Sequence, residues 1–356
     1  MLESVMERFF DPQHIEAHRG DAPAPIAEQA VHSLALVSAL VRSGLAFRFK
    51  GGNSLLVILQ KPRRFSIDVD ISTGESRETI ETALETAVEA SPVFTRWERR
   101  AHQTKPWLPL ASFKVFFRPR VVDAPESFIF LDAQLKKSEY PGARVPVRCL
   151  DLYDAGETVE VPTVGGILGD KLLTLGPSTY GIPLGKNKEA QRLKHVFDVA
   201  TLARKTPSLA EIRLSVQLCM EQEARLQERT YALEEVVQDT LKFCACASPH
   251  PAPPNDPGDE PYLDEIVRGF PAFREHLFSR DYTWTDLQTD LARAALSLVA
   301  AADREVTDEA FRKRIGGEGP ADGLQGPLAS VAEHNPTAAS LWASVLRLRG
   351  EPDLLA

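Results

Sequence analysis

Cysteine is scarce in this chain: 356 residues contain four, Cys149, Cys219, Cys244 and Cys246. Their spacing is not that of a disulfide framework. Cys244-Ala245-Cys246, with His250 nearby, lacks the CxxC spacing and second ligand pair of a structural metal site. The expectation is a reduced protein of the cytoplasm. No run of about 18 apolar residues occurs, so no membrane partner is expected. The opening Met1-Leu2-Glu3-Ser4-Val5-Met6-Glu7 is charged and lacks an apolar signal core. Basic excess is absent as well. The net charge of −9 and pI near 5.5 argue against a general nucleic-acid coat and leave room only for local basic surfaces. Internal repeats are missing. A hydrophobic content of 43% and a mean hydropathy of −0.19 describe a globular chain long enough for two domains.

The informative residues lie close together. Phe49-Lys50-Gly51-Gly52-Asn53-Ser54-Leu55-Leu56 reads as a strand, a glycine turn and a short helix. Arg63-Arg64-Phe65-Ser66-Ile67-Asp68-Val69-Asp70-Ile71 then carries two aspartates two residues apart. On a strand Asp68 and Asp70 share one face, and Ile67, Val69 and Ile71 share the other. Paired carboxylates beside a glycine turn at a helix start suit Mg²⁺ or Mn²⁺ carrying a nucleoside triphosphate. Gly51 and Gly52 admit phosphate to the backbone, and Asn53 and Ser54 open the helix. The bland alternative is a solvent-facing acidic pair on an edge strand. Asp132 interrupts the apolar run Phe128-Ile129-Phe130-Leu131 and is a candidate third metal ligand.

Periodicity places helices over residues 26–44, 53–60 and 78–90, and strands over 46–50, 65–72, 112–117 and 127–135. From Gly165 the pattern turns helical, over 166–175, 188–204, 209–246, 263–270, 285–302 and 337–348. Ser248 to Pro261 holds six prolines and reads as a mobile loop. The expected class is α+β, with a sheet module over 1–162 and a helical part over 163–356.

In the helical part, Asp170-Lys171-Leu172 precedes Arg192-Leu193-Lys194-His195-Val196-Phe197-Asp198. Lysine suits triphosphate oxygens, and an aspartate on the next helix can orient it or accept a proton. The alternative is a helix–helix salt bridge between Lys171 and Asp198. Leu193, Val196, Phe197 and Ala200 make the stripe expected to be buried. Basic residues cluster at Arg96, Arg99, Arg100, His102 and Lys105, at Lys114, Arg118 and Arg120, at Lys136 and Lys137, and at Lys186, Lys188, Arg192, Lys194 and His195.

The order glycine turn, helix, Asp-x-Asp strand resembles the polymerase-β-like nucleotidyltransferases. More closely, the chain resembles the AbiEii/AbiGii nucleotidyltransferase toxins, which include the MenT group. Gly51-Gly52-Asn53-Ser54-Leu55, Arg64-Phe65-Ser66-x-Asp68-x-Asp70, Asp170-Lys171-Leu172 and Arg192-x-Lys194 with Asp198 match that family's blocks. His195 departs from them, standing where the family has an aspartate. The resemblance implies a toxin–antitoxin or phage-defence toxin that transfers NMP from NTP to RNA, notably the tRNA 3′ end, and blocks translation. It implies Asp68 and Asp70 as metal ligands and Ser54 and Lys171 on the triphosphate. Asp198 would position the lysine or the acceptor, and a cognate antitoxin would be a partner. Ser66 shares the aspartate face, so a phosphate on it would repel the triphosphate. The rival readings are transfer to a small molecule such as an aminoglycoside, and a catalytically silent nucleotide- or antitoxin-binding protein.

Overall fold

The computed structural model describes residues 7–59, 61–100 and 109–350. His102 and Lys105 lie outside these, as do the first six residues. The chain forms two compact units. One holds Met1–Thr163 and Glu275–Arg280, and the other holds Val164–Arg274 and Asp281–Ala356. The return of Glu275–Arg280 to the first unit has no signature in composition or periodicity.

The first unit is built on a seven-stranded mixed sheet, so the class is α+β. Its strands are β1 (Arg48–Lys50), β2 (Val69–Ser72), β3 (Phe94–Arg100), β4 (Leu110–Phe117), β5 (Ser127–Gln134), β6 (Gly142–Cys149) and β7 (Tyr153–Pro162). Their spatial order is β3-β4-β5-β2-β1-β7-β6. β2 runs parallel to β5, and β1 parallel to β7. Periodicity missed β3, β6 and β7, for two different reasons. The outer strands β3 and β6 carry charge and Pro146, which blunt an exposed edge and erase the strand pattern. β7 is interrupted by Gly156 at φ +81°.

The helices Ala24–Arg42 and Arg77–Glu89 pack on one face of this sheet. Leu34, Val37, Leu40, Ile80 and Leu84 meet Val69, Ile71, Phe113, Leu131 and Val159 in one core. Ala24–Arg42 is long and apolar enough to cross a membrane by length and composition, contrary to the expectation from apolar runs, but 72% of that stretch is buried inside the protein. Ile67, which alternation places on one face with the buried Val69 and Ile71, is only half-buried.

In the second unit, Trp284–Ala302 is the central helix, with Leu287, Leu291, Ala295 and Leu298 fully buried. Glu189–Ala203, Leu233–Ala245 and Pro336–Arg349 pack around it. Leu193, Val196, Phe197 and Ala200 form the buried stripe of Glu189–Ala203, as their spacing requires. The stretch 209–246 is two helices, Leu209–Gln227 and Leu233–Ala245. Glu228 adopts the left-handed conformation (φ +57°) and stops the first, while Glu235 caps the second through the Ala232 N–H. The proline-rich segment is anchored at its start. Gln288 donates to the carbonyls of Ala247, Ser248 and His250, and the Trp342 indole donates to the Ser248 hydroxyl.

Candidate active site

The sheet unit assembles one row of polar side chains from four strands. Lys50 pairs with Asp70 across β1 and β2, Asp70 pairs with Asp132 across β2 and β5, and Asp132 pairs with Ser112 across β5 and β4. Residues paired across neighbouring strands point to the same face. The flanking Val69, Ile71, Leu131 and Ala133 point to the opposite face and are buried at 0–1% exposure. The alternation that fills the core therefore places Asp70 and Asp132 side by side, away from the core helices. Both are half-buried. Ser112 donates to Asp132 Oδ1 at 2.5 Å, fixing that carboxylate and leaving Oδ2 outside this hydrogen bond.

Asp68 does not lie on the strand. β2 begins at Val69, and Asp68 is exposed in the extended segment just before it. That segment is held from the far side of the sequence. Phe65 N–H donates to the His276 carbonyl at 2.7 Å, and Phe278 N–H donates to the Arg63 carbonyl at 2.9 Å. The fully buried Phe65 ring packs edge-on against Phe278, with ring centroids 4.2 Å apart.

The glycine turn is pressed against the same face. Gly51 has φ +70°, and a Cβ there would lie 1.9 Å from Asp70 Oδ2. A Cβ on Gly52 would lie 2.8 Å from the Arg64 guanidinium and 2.9 Å from Ser66 Oγ. Both glycines are thus required by close approach, and the approach brings Gly51 to Asp70 and Gly52 to Ser66. Asn53 and Ser54 turn inward instead. Both are fully buried; Asn53 donates to Ser33 Oγ at 2.6 Å, and Ser54 Oγ donates to the Gly51 carbonyl at 2.9 Å. Their side chains brace the turn, and the Leu55 and Leu56 N–H groups donate to the Gly52 and Asn53 carbonyls, so phosphate recognition would fall to backbone N–H groups of the glycine turn itself.

The two half-buried carboxylates, fixed in register with a glycine turn against one of them, fit a divalent ion that arrives with substrate phosphates. Such an ion takes one or two protein carboxylates and fills its remaining positions with phosphate and water. A closed protein cage is a different matter: among the described residues no three His, Cys, Asp or Glu side chains converge on a metal position. Cys244 is buried, and Cys246 Sγ points to the Phe243 carbonyl.

In the helical unit, Lys171 Nζ lies 2.7 Å from Asp198 Oδ2, with side-chain exposures of 7% and 1%. Gly165 and Gly169 let the Val164–Leu172 helix close onto Leu209–Gln227. A Cβ on Gly169 would meet Ser215 Cβ at 2.6 Å, and Ser215 Oγ donates to the Gly166 carbonyl. Arg192 is buried and structural. It donates to the Ile182 and Pro183 carbonyls and pairs with Glu265 at 3.3 Å. Burial pushes its pKa down, against the pull of Glu265. Asp239 accepts from the N–H groups of Ser178 and Thr179, both at 2.8 Å. The glycine- and proline-bearing run between Leu175 and Lys188 is therefore stapled at both ends. Lys194 and His195 are half-buried on the same helix as Asp198.

Sequence reasoning missed Lys50 and Ser112. Lys50 is the residue before the glycine turn and faces Asp70 across the β1–β2 pair. The period-2 alternation from Phe49 was the available signal for it. Ser112 became visible only through the strand register.

The model of the family described as nucleotidyl transferase AbiEii toxin, type IV toxin–antitoxin system, matches residues 35–285. The chain belongs to that family, and with it come a nucleotidyltransferase activity, an NTP substrate and a cognate antitoxin. No curated protein matches the chain.

Proposed function

From that membership, we propose that this toxin transfers a nucleoside monophosphate from NTP to an RNA acceptor, the tRNA 3′ end, and so blocks translation. The observation that carries the reading is the row Lys50–Asp70–Asp132, set against a glycine turn whose backbone touches Asp70. Asp70 and Asp132, with Asp68 ahead of the strand, would hold Mg²⁺ or Mn²⁺. When bound, the ion neutralises triphosphate charge and that of the departing pyrophosphate.

The chain's own residues then do the following. Backbone N–H groups of the Gly51-Gly52 turn receive phosphate oxygens. Ser66, half-buried against Gly52, lines the same turn. Lys50 adds positive charge to the face that carries the carboxylates. The acceptor hydroxyl oxygen forms a bond to the α-phosphorus, the bond from that phosphorus to the bridging oxygen breaks, and pyrophosphate leaves. The hydroxyl proton passes to a carboxylate, for which Asp132 is the candidate, held in place by Ser112 through Oδ1. In the helical unit, Lys171 is the candidate triphosphate ligand, oriented by Asp198.

The test is incubation of the purified chain with Mg²⁺, each labelled NTP and total tRNA, with Asp70→Ala and Asp68→Ala as controls. Label on tRNA 3′ ends that both substitutions abolish is the expected result. Label found only on small-molecule acceptors would overturn the RNA assignment, and NTP binding without transfer would overturn the enzymatic one.

A further inference from the structure

The sheet face that carries Asp132 continues along β4 and β5 into a patch unlike an ordinary solvated surface. An antiparallel sheet with one face on the core carries polar side chains on the other. Here three phenylalanines occupy that face. Phe116 and Phe128 are directly paired, and Phe130 stands one step along β5 between Phe128 and Asp132. Phe128 and Phe130 are half-buried, and their ring centroids are 4.9 Å apart. Cations lie over each ring. Arg96 sits 3.5 Å from the Phe116 centroid, Lys114 sits 4.3 Å from that of Phe128, and Arg100 sits 4.5 Å from that of Phe130.

The charges on this patch are not equivalent. Arg96 is held by Glu98 and Glu126. Arg100 and Lys114 have no carboxylate within salt-bridge distance among the described residues, and they flank Phe130, the ring nearest Asp132. In a chain of net charge −9, uncompensated cations interleaved with aromatic rings mark a local surface of opposite character.

We propose that this β3–β4–β5 face is the platform for the unpaired 3′-terminal nucleotides of the acceptor RNA. Phe130 and Phe128, whose ring planes stand 68° apart, each take one splayed base in place of the cation over the ring, and the displaced Arg100 and Lys114 side chains swing out to hold the phosphates. The proposal rests on the nucleotidyl-transfer reading and adds to it where the acceptor strand lies. Stacking accepts any base, because every base has a π face. The direction along β5 follows from the register. The terminal nucleotide sits over Phe130, beside Asp132, and the preceding one sits over Phe128. A duplex cannot present unstacked bases to such a row, so single strands are preferred.

The experiment uses the full chain carrying Asp70→Asn, so that binding is read without turnover. Its partners are a fluorescein-labelled 12-nucleotide single-stranded RNA and the same RNA annealed to its complement. The expected result is tighter binding of the single strand. Phe130→Ala should weaken it by about tenfold or more, the scale of one base–aromatic contact. Arg100→Ala with Lys114→Ala, which alters one exposed and one half-buried group and spares the core, should weaken it and flatten its salt dependence. Affinities of both variants within twofold of the parent would overturn the platform. So would equal affinity for single strand and duplex, or no RNA binding by the parent. Variants that keep RNA affinity and lose affinity for a poly-glutamate peptide would assign the face to a protein and also overturn it. Transfer to tRNA by the Asp70-containing chain is measured in parallel. Intact transfer with unchanged RNA affinity refutes the platform alone, whereas absent transfer with any acceptor refutes the nucleotidyl-transfer reading.

Discussion

Replacing Lys171 with methionine separates the two roles a buried ion pair can have. Nζ and Oδ2 are 2.7 Å apart, and the Asp198 side chain is 1% exposed. Removing the lysine leaves a carboxylate with almost no access to water. Stripping one partner from such a pair costs about 3–5 kcal/mol. With a urea m-value of roughly 2 kcal/mol/M, the unfolding midpoint of the helical unit should fall by about 1.5–2.5 M. Circular dichroism at 222 nm follows that unit, because most of the helix lies there. The double variant Lys171→Met, Asp198→Leu removes both charges and should regain most of the loss, since apolar replacement of a whole buried pair is near neutral. Activity should not return with stability, because a methionine cannot bind phosphate. A single variant with an unchanged midpoint would refute the electrostatic argument. A double variant with restored transfer would refute the role of Lys171 on the triphosphate.

Other expectations follow from the same geometry. Gly51→Ala should abolish transfer while the sheet unit stays folded, because its Cβ would occupy the position of Asp70 Oδ2 and the strain at φ +70° adds only about 1 kcal/mol; activity within twofold of the parent would count against the site. Ser66→Glu should remove NTP binding, measured by calorimetry, since it places a carboxylate among the aspartates. Arg192→Ala should destabilise the helical unit and make the 176–187 segment sensitive to limited proteolysis, because it releases the Ile182 and Pro183 carbonyls together with Glu265. His32 is buried, stacked on Phe117 at 3.7 Å, and hydrogen-bonded through Nδ1 to the Glu28 carbonyl. Burial pushes its pKa down to about 3. The unfolded chain takes up that proton near pH 6.5, so sheet-unit stability should fall as pH drops from about 6.5 toward 3, by up to ~1.4 kcal/mol per pH unit. His32→Phe should reduce that slope in acid-unfolding curves.

The parts legible in the sequence are those whose signal is local. The glycine turn, the alternation of Asp70 with Val69 and Ile71, the stripe Leu193–Ala200 and the long helices show themselves through spacing of two or of three to four. Asp132 was a candidate because it interrupts an apolar run, but its register against Asp70 is a non-local fact. So is the grip of His276 and Phe278 on Arg63–Phe65. Asn53 and Ser54 show the complementary failure. A polar residue at a helix start can face a ligand or brace its own turn, and composition does not distinguish the two. β3 was unreadable because edge protection replaces hydrophobic alternation with charge, and that same charge supplies the cations of the proposed platform.

The pairing of Arg63–Phe65 with His276–Phe278 sets an order in time. A chain leaving the ribosome can pair β1 to β7 once Pro162 has emerged, yet the segment leading into Asp68 still lacks its hydrogen-bonding partner and the ring that covers Phe65. Those arrive only with residues 276–278, after most of the helical unit has been made. In this member of a toxin family, the carboxylate site is thus completed late in synthesis, and a prematurely terminated chain lacks the piece that fixes it.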